Sequence, residues 1–333
     1  MAFGGLNVIL LGDFFQLPPV GSLALYNTGM LKSELDIAGR VAYHQFNRTI
    51  ELDEIVRQQG AGEAPFRQAL EGLRHNTVTR NDWDLLTTRV AAQLTDTEVH
   101  AFDDAIRIFG RKIDVNEYNQ DKMAALNVPV IQLEALHEGH QASDASFDDA
   151  SNLHKTLPIC IGARIMLTEN LWTERGLVNG ALGTVIDLTW SEGATVKKDL
   201  PLAVLIAFDK YEDDGPCLYR TDASCPVVPI FTSRREFFRG AAQCHRTQFP
   251  LTVAFAVTVH KAQGMTVDQA VLNIARKDFV VGLTYVAVSR VKSLSGILFE
   301  SPFDFIRFKG IPTHTETMRL ADKARRLSEV VAL

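Results

Sequence analysis

The sequence predicts an α/β fold, a parallel sheet with helices on both faces. Three observations lead there. Residues 6–11 (LNVILL) form a continuous apolar run with β-branched members, stopped by Gly12-Asp13. Such a run suits a strand buried on both faces of a parallel sheet. Residues 106–109 read as a short strand and 113–126 as the helix after it. Residues 249–290 hold two apolar elements that each deliver polar side chains at one end, His260-Lys261-Ala262-Gln263-Gly264 and Ser289-Arg290. An open α/β sheet presents a site in this way, outside the carboxyl ends of its strands.

The remaining elements follow in order. Residues 14–20 (FFQLPPV) contain two prolines, which forbid a helix or a central strand. A rigid loop then holds Asp13 and Gln16 at the sheet edge. Residues 49–52 read as a short strand. Asp53-Glu54 is not a metal-binding acidic pair, because no strongly apolar strand precedes it and Arg57-Gln58 follows at once. Phe66, Leu70 and Leu73 have helical spacing. Residues 79–90 suggest a second helix, with Thr79 and Asp82 as a capping pair. Residues 137–154 are polar, acidic and rich in Ser and Asp, a solvated loop. Residues 161–167 read as a strand, and Asn179-Gly180 between apolar flanks as a tight turn. Three strand-like runs follow at 184–188, 202–208 and 229–232. Arg234, Arg235, Arg239 and Arg246 make the next stretch basic, either lining a nucleic-acid strand or solvated. Within 249–290, residues 251–259 are long enough for a helix, 269–274 is β-rich, and 283–288 is a short amphipathic run. Residues 297–300 are strand-like. Residues 315–331 read as an amphipathic helix with Met318, Leu320, Ala321, Ala324, Leu327 and Val330 partly aligned.

Composition sets the outer bounds. With 333 residues, 46% hydrophobic and 22% charged, the chain is long enough for two domains and globular in character. No apolar run reaches the ~18 residues of a membrane span. The first residues lack a basic start and a small-residue cleavage site, so no signal peptide is expected, and Asp13 with no arginine nearby argues against a transit peptide. The four cysteines show no C-x-x-C spacing, which predicts scattered reduced thiols, no metal site and an intracellular protein. The net charge of −6 is unevenly spread. Residues 96–149 hold twelve acidic and four basic side chains, whereas 261–333 hold seven and eleven. A basic surface can therefore coexist with an acidic total.

Five stretches carry a resemblance to a known family. They are GDFFQLPPVG (12–21), IELDEIVRQ (50–58), GLVNGALGTV (176–185), HKAQG (260–264) and TYVAVSR (284–290). In this order they resemble the motifs of superfamily 1B helicases of the petite-integration-frequency (PIF) type and their RecD-like relatives. The resemblance implies a RecA-like P-loop NTPase fold. It places the end of a first RecA-like domain at 1–55, a second at 56–181 and 249–333, and an inserted small β-barrel at 182–248. It implies 5′-to-3′ ATP-dependent unwinding of DNA, with ATP and Mg2+ as cofactors and single-stranded DNA and DNA junctions as partners. DNA repair, recombination or telomere maintenance in the nucleus or mitochondrion would be the setting. Carried over by resemblance, Gln16 senses the γ-phosphate, and Arg57 and Arg290 reach the phosphates. Asp13, Gln263 and Gly264 contact nucleotide, and His260 and Lys261 contact the DNA backbone. The phosphate loop G-x-x-x-x-G-K-[ST] is absent from the 333 residues. The family carries that loop and the metal-binding acidic pair ahead of the GDFFQLPPV motif. The expectation is therefore a motor fragment, with a catalytically inactive single-strand-binding module or a remnant of a transposon-encoded helicase as alternatives.

Overall fold

Side-chain caps start the helices at the front of the chain. In α1 (Glu34–Tyr43) the Ser33 side chain accepts from the Asp36 N–H. α2 (Ala64–His75) has proline in its first turn and ends at Asn76 in the left-handed conformation, where asparagine is among the few tolerated residues. α3 (Arg80–Thr87) begins with the expected Thr79–Asp82 capping box, and α4 (Asp96–His100) repeats the device with Thr95 and Glu98. Each cap satisfies backbone N–H groups that a helix start leaves open. The structure, a computed structural model, describes residues 2–31, 33–195, 199–211, 215–276, 278–308 and 314–327. It has two compact units, Met1–Asp103 with Thr266–Leu333, and Asp104–Met265.

Two expected strands of the first unit do not form. Residues 6–11 and 49–52 are irregular and exposed, with Leu11 89% and Leu52 90% accessible. A strand needs a neighbour for its N–H and C=O groups. Among the described residues no strand pairs with either run, so apolar content alone does not produce one.

The second unit opens with β1 (Ile106–Phe109) and α5 (Lys112–Ala125), as expected within one residue. Its antiparallel part comprises β2 (Ile131–Glu134), β3 (Leu136–Glu138), β4 (Thr156–Ile159), β5 (Arg164–Leu167), β6 (Leu182–Thr189), β7 (Ala203–Phe208), β8 (Tyr219–Arg220), β9 (Pro226–Ile230), β10 (Ser233–Arg239), β11 (Ala242–Gln248) and β12 (Leu251–Val253). The largest sheet runs β12-β5-β6-β7-β9-β8, a second runs β10-β11-β3, and β2 pairs with β4. Ile165, Leu167, Val204, Ile206, Phe249 and Leu251 form the heart of its core. β13 (Ala256–Thr258) then pairs in parallel with β1 and leads into α6 (Val259–Ala262).

The helix expected over 251–259 is thus two short strands and the first turn of α6. Asn119 of α5 fixes the bend: its amide donates to the Val253 and Ala256 carbonyls and accepts from the Ala256 N–H at 2.7 Å. The solvated loop expected over 137–154 holds for its exposed polar residues but not throughout. β3 contributes its start, and Ala142, Ala145 and Ala150 form a small core with Phe237 and Cys244. Arg246, read as strand-lining or solvated, is 0% exposed. It donates to the carbonyls of Leu153 (2.9 Å), Ala145 (2.8 Å) and Ala142 (3.2 Å). The charged run 233–248 is two strands that pair with each other in antiparallel register, with Arg234 paired to Glu138 at 2.8 Å and Arg235 to Glu169 on their faces.

The chain returns to the first unit as β14 (Ala270–Leu272), α7 (Leu283–Val288), β15 (Ile297–Phe299) and α8 (His314–Arg326). β14 and β15 pair in parallel. The buried face of α8 differs from the expected stripe. It presents Met318, Arg319 and Asp322, while Leu320 is exposed. Asp322 accepts from Tyr43 at 2.7 Å and from Arg325 and Arg326 at 2.9 Å. The helix docks through the Tyr43–Asp322 hydrogen bond, the Lys323–Glu51 ion pair at 2.9 Å and the stacking of Arg325 on Tyr43 and Arg326 on Phe14. The expected Val330 lies outside the described residues. No helix among the described residues is long and apolar enough to cross a membrane.

Candidate functional site

In the first unit the residues converge at the end of α7. Arg290 is 2% exposed. Its Nε donates to the Val286 carbonyl and its Nη2 to the Ser289 hydroxyl, both at 2.7 Å. Arg57 donates to the Ser289 carbonyl and the Thr266 hydroxyl, both at 2.9 Å. Buried Gln58 donates to the Val291 carbonyl at 2.6 Å and to that of Ser289 at 3.3 Å. Among the described residues neither arginine has a carboxylate at ion-pair distance. Burial, reinforced by repulsion from Arg57, pushes the Arg290 guanidinium down to about 10, and burial lowers Arg57 as well. Buried cations satisfied only by neutral groups are costly, and an anion between them relieves that cost.

The loop of Asp13 and Gln16 lies in the same unit. Asp13 accepts from the Phe15 N–H at 3.0 Å and from the Gln16 side-chain amide at 3.4 Å. α2 grips this loop: Arg74 pairs with Asp13 at 3.4 Å and its guanidinium lies 4.9 Å from the Phe15 ring centre. The buried Arg74 Nε has no hydrogen-bond partner among the described residues. Gly282 sits at φ +88°, and a Cβ there would meet the Phe15 carbonyl at 2.7 Å, so this position needs glycine. From α8, Arg319 donates to the Gln16 carbonyl at 3.4 Å and to the Tyr26 hydroxyl at 3.1 Å. Burial, then the Asp13 charge, pushes the Tyr285 phenol up. Arg74, Tyr285, Thr266 and Arg319 escaped sequence reasoning. Tyr285 lay inside the TYVAVSR motif without being singled out, and Arg74 left a weaker signal as a basic residue in the last turn of α2.

The second unit holds the other expected residues. His260 and Lys261 lie on α6, Gln263 is its C-cap, and Gly264 follows at φ +88°. The Lys261 ammonium stands 5.2 Å from the centre of the Phe147 ring. Burial lowers both His260 and Lys261, and the charge of Lys112 lowers them further, while Asp148 opposes it at Lys261. Lys112 itself pairs with Asp148 at 3.2 Å. Burial, with Lys261 and Arg246 close by, pushes His154 down to about 4. A neutral His154 ring then shares a hydrogen bond of 3.0 Å with Thr252.

The chemistry of two guanidinium groups without a carboxylate at ion-pair distance among the described residues fits an anionic phosphate. For a metal the fit fails: among the described residues no group of three or more His, Cys, Asp or Glu could hold an ion. No step is therefore assigned to Mg2+ on these residues.

Residues 149–188 match the family model "DNA helicase Pif1, 2B domain". The ATP-dependent DNA helicase PIF1 of Danio rerio is 31% identical over 301 residues, 89% of this chain and 40% of that protein. The ATP-dependent DNA helicase Pif1 of Bdellovibrio bacteriovorus is 28% identical over 297 residues, 89% of this chain and 58% of that protein. The Pif1 helicase structure from Candida albicans superposes with a TM-score of 0.68 at 23% identity, covering 97% of this chain and 69% of that one. Bacteroides Pif1 in complex with ADP-AlF3 and ssDNA gives 0.62 at 25%, covering 98% and 68%. The fold is the RecA-like α/β fold of helicases. Within that class the chain is similar to Pif1 helicases over 89% of its length, and it spans 40% and 58% of the two curated relatives' lengths.

Proposed function

We propose that the chain works in a Pif1-type, ATP-dependent DNA helicase motor that moves 5′ to 3′ on single-stranded DNA in genome maintenance, in the nucleus or mitochondrion. The observation that carries this is that half-buried Arg57 and buried Arg290 are held by the same Ser289, with no carboxylate at ion-pair distance among the described residues. Arg57 and Arg290 stabilise charge on a transferring phosphoryl group, as arginines do when the phosphates are held in place. Gln16 senses the γ-phosphate, and Asp13, Gln263 and Gly264 relay the nucleotide state. His260 and Lys261 hold the DNA backbone. The division into a first RecA-like segment (1–55), a second RecA-like domain (56–181, 249–333) and an inserted barrel (182–248) is part of the same reading.

These 333 residues contain no phosphate loop, so the arginines act on a triphosphate cradled by groups outside them. The test is single-strand-stimulated ATP hydrolysis by the purified 333 residues, with Arg290→Ala beside the parent. The expected result is no turnover from either while the folded chain binds single-stranded DNA. Turnover in the parent that is lost in Arg290→Ala would overturn the missing-cradle part. A second reading, a single-strand-binding module without catalysis, draws on the cationic group Lys112, His260 and Lys261.

A further inference from the structure

The loop 146–152 meets that cationic group in the second unit. The Ser146 hydroxyl donates to Asp149 at 2.7 Å and accepts from the Asp149 N–H at 3.1 Å. The Asn152 N–H returns to the Phe147 carbonyl at 2.9 Å. Ser151 (φ 54°) and Asn152 (φ 63°) are both left-handed, which turns the chain sharply, and Ala150 is fully buried. This anchoring aims two consecutive side chains at the lysines. Phe147 lies against Lys261 on one side and the His154 ring, 4.3 Å away, on the other. Asp148 reaches Lys112, the first residue of α5, at 3.2 Å.

We propose that Lys112 is a further backbone-phosphate contact for single-stranded DNA, and that Asp148 occupies its place in the free chain as a surrogate for phosphate. The inference rests on the single-strand reading above. Magnitudes favour an exchange. Both side chains are exposed, Lys112 at 80% and Asp148 at 66%, and exposed ion pairs contribute little to stability. A phosphodiester can displace the carboxylate at small cost, and releasing counterions drives the exchange. Lys112 also stands close enough to His260 and Lys261 to depress both. A second anion therefore relieves repulsion that one aspartate only partly offsets. Phe147 keeps Lys261 from folding away.

The test is fluorescence anisotropy with a labelled oligothymidylate at low salt. It uses the parent chain, Asp148→Asn, Lys112→Gln, the double variant, and Asp144→Asn as a control for net charge on the same segment. Asp148→Asn should bind about two- to five-fold tighter than the parent, well beyond Asp144→Asn. Lys112→Gln should bind weaker by a similar factor, and in its background Asp148→Asn should give no gain beyond that control. A gain no larger than that of Asp144→Asn, or one that persists in full without Lys112, overturns the proposal. A parent chain that binds no oligothymidylate overturns the single-strand reading itself. That failure is distinguishable because no variant then has a baseline.

Discussion

Arg57 and Arg290 are held by one residue: Arg57 donates to the carbonyl of Ser289 at 2.9 Å and Arg290 to its hydroxyl at 2.7 Å. Ser289 closes α7 as its C-cap, so the end of one helix sets the positions of two guanidinium groups. Arg290 is buried and Arg57 half-buried, and Arg57 lowers Arg290 by repulsion. On the function proposed above, the pair serves as a preformed anion site.

A free polyphosphate should therefore stabilise the chain. Inorganic triphosphate at about ten times its dissociation constant adds roughly 1.4 kcal/mol, a rise in melting temperature of about 1–3 °C. Differential scanning fluorimetry should show this rise in the parent and none in Arg290→Ala. An equal rise in both places the polyphosphate elsewhere.

Arg246 makes a second prediction. It is fully buried and bonds three carbonyls. Truncation leaves the Leu153, Ala145 and Ala142 carbonyls unpaired, the last two in the small core with Ala150, Phe237 and Cys244. Arg246→Ala should cost about 3 kcal/mol or more, from the lost bonds and the cavity. Arg246→Lys should recover little, because an ammonium lacks the planar fork. Urea unfolding measures both, and full rescue by lysine would count against the fork.

Arg319 should steady the Gln16 loop from α8. Its guanidinium bonds the Gln16 carbonyl and lies 5.8 Å from the Phe15 ring centre. In Arg319→Ala the amide hydrogens of residues 15–17 should exchange several-fold faster, while those of β7 keep their protection. Unchanged exchange in the loop would show that α2 and Gly282 suffice.

His154 gives the chain a pH dependence. Its folded value of about 4 lies below the ordinary 6.5, so the unfolded chain takes up the proton first as pH falls. Its stabilising contribution is complete above about 6.5 and is lost as pH falls toward 4, reaching up to about 2 kcal/mol at pH 5. His154→Gln should flatten the dependence of the urea midpoint between pH 7 and 5. An equally steep dependence in the variant would place the titrating group elsewhere.

The legible parts of the sequence were those decided locally. The Thr79–Asp82 cap, β1, α5, the turn at Asn179-Gly180 and α7 depend on neighbours a few positions apart, and each appears within about a turn of its expected place. Partner-dependent features were not legible. Residues 6–11 have strand composition but no pairing strand, and 251–259 is split by contacts with Asn119, more than 130 positions away. Within the polar stretch 137–154 only Ala142, Ala145, Ala150 and Leu153 are buried, and Arg246, about a hundred positions on, satisfies the carbonyls of three of them. At the candidate site the motifs marked Asp13, Gln16, Arg57 and Arg290. Arg74 and Arg319 act on the loop from helices that carry no motif.

Single-stranded DNA binding across a salt series, for the parent chain and Lys261→Ala, tests the central claim most directly. The expected result is binding at low salt that weakens steeply as salt rises. In Lys261→Ala it should be weaker, with a logarithmic salt slope smaller by about one. No binding at low salt, or a slope unchanged in the variant, would contradict a DNA track at Lys261.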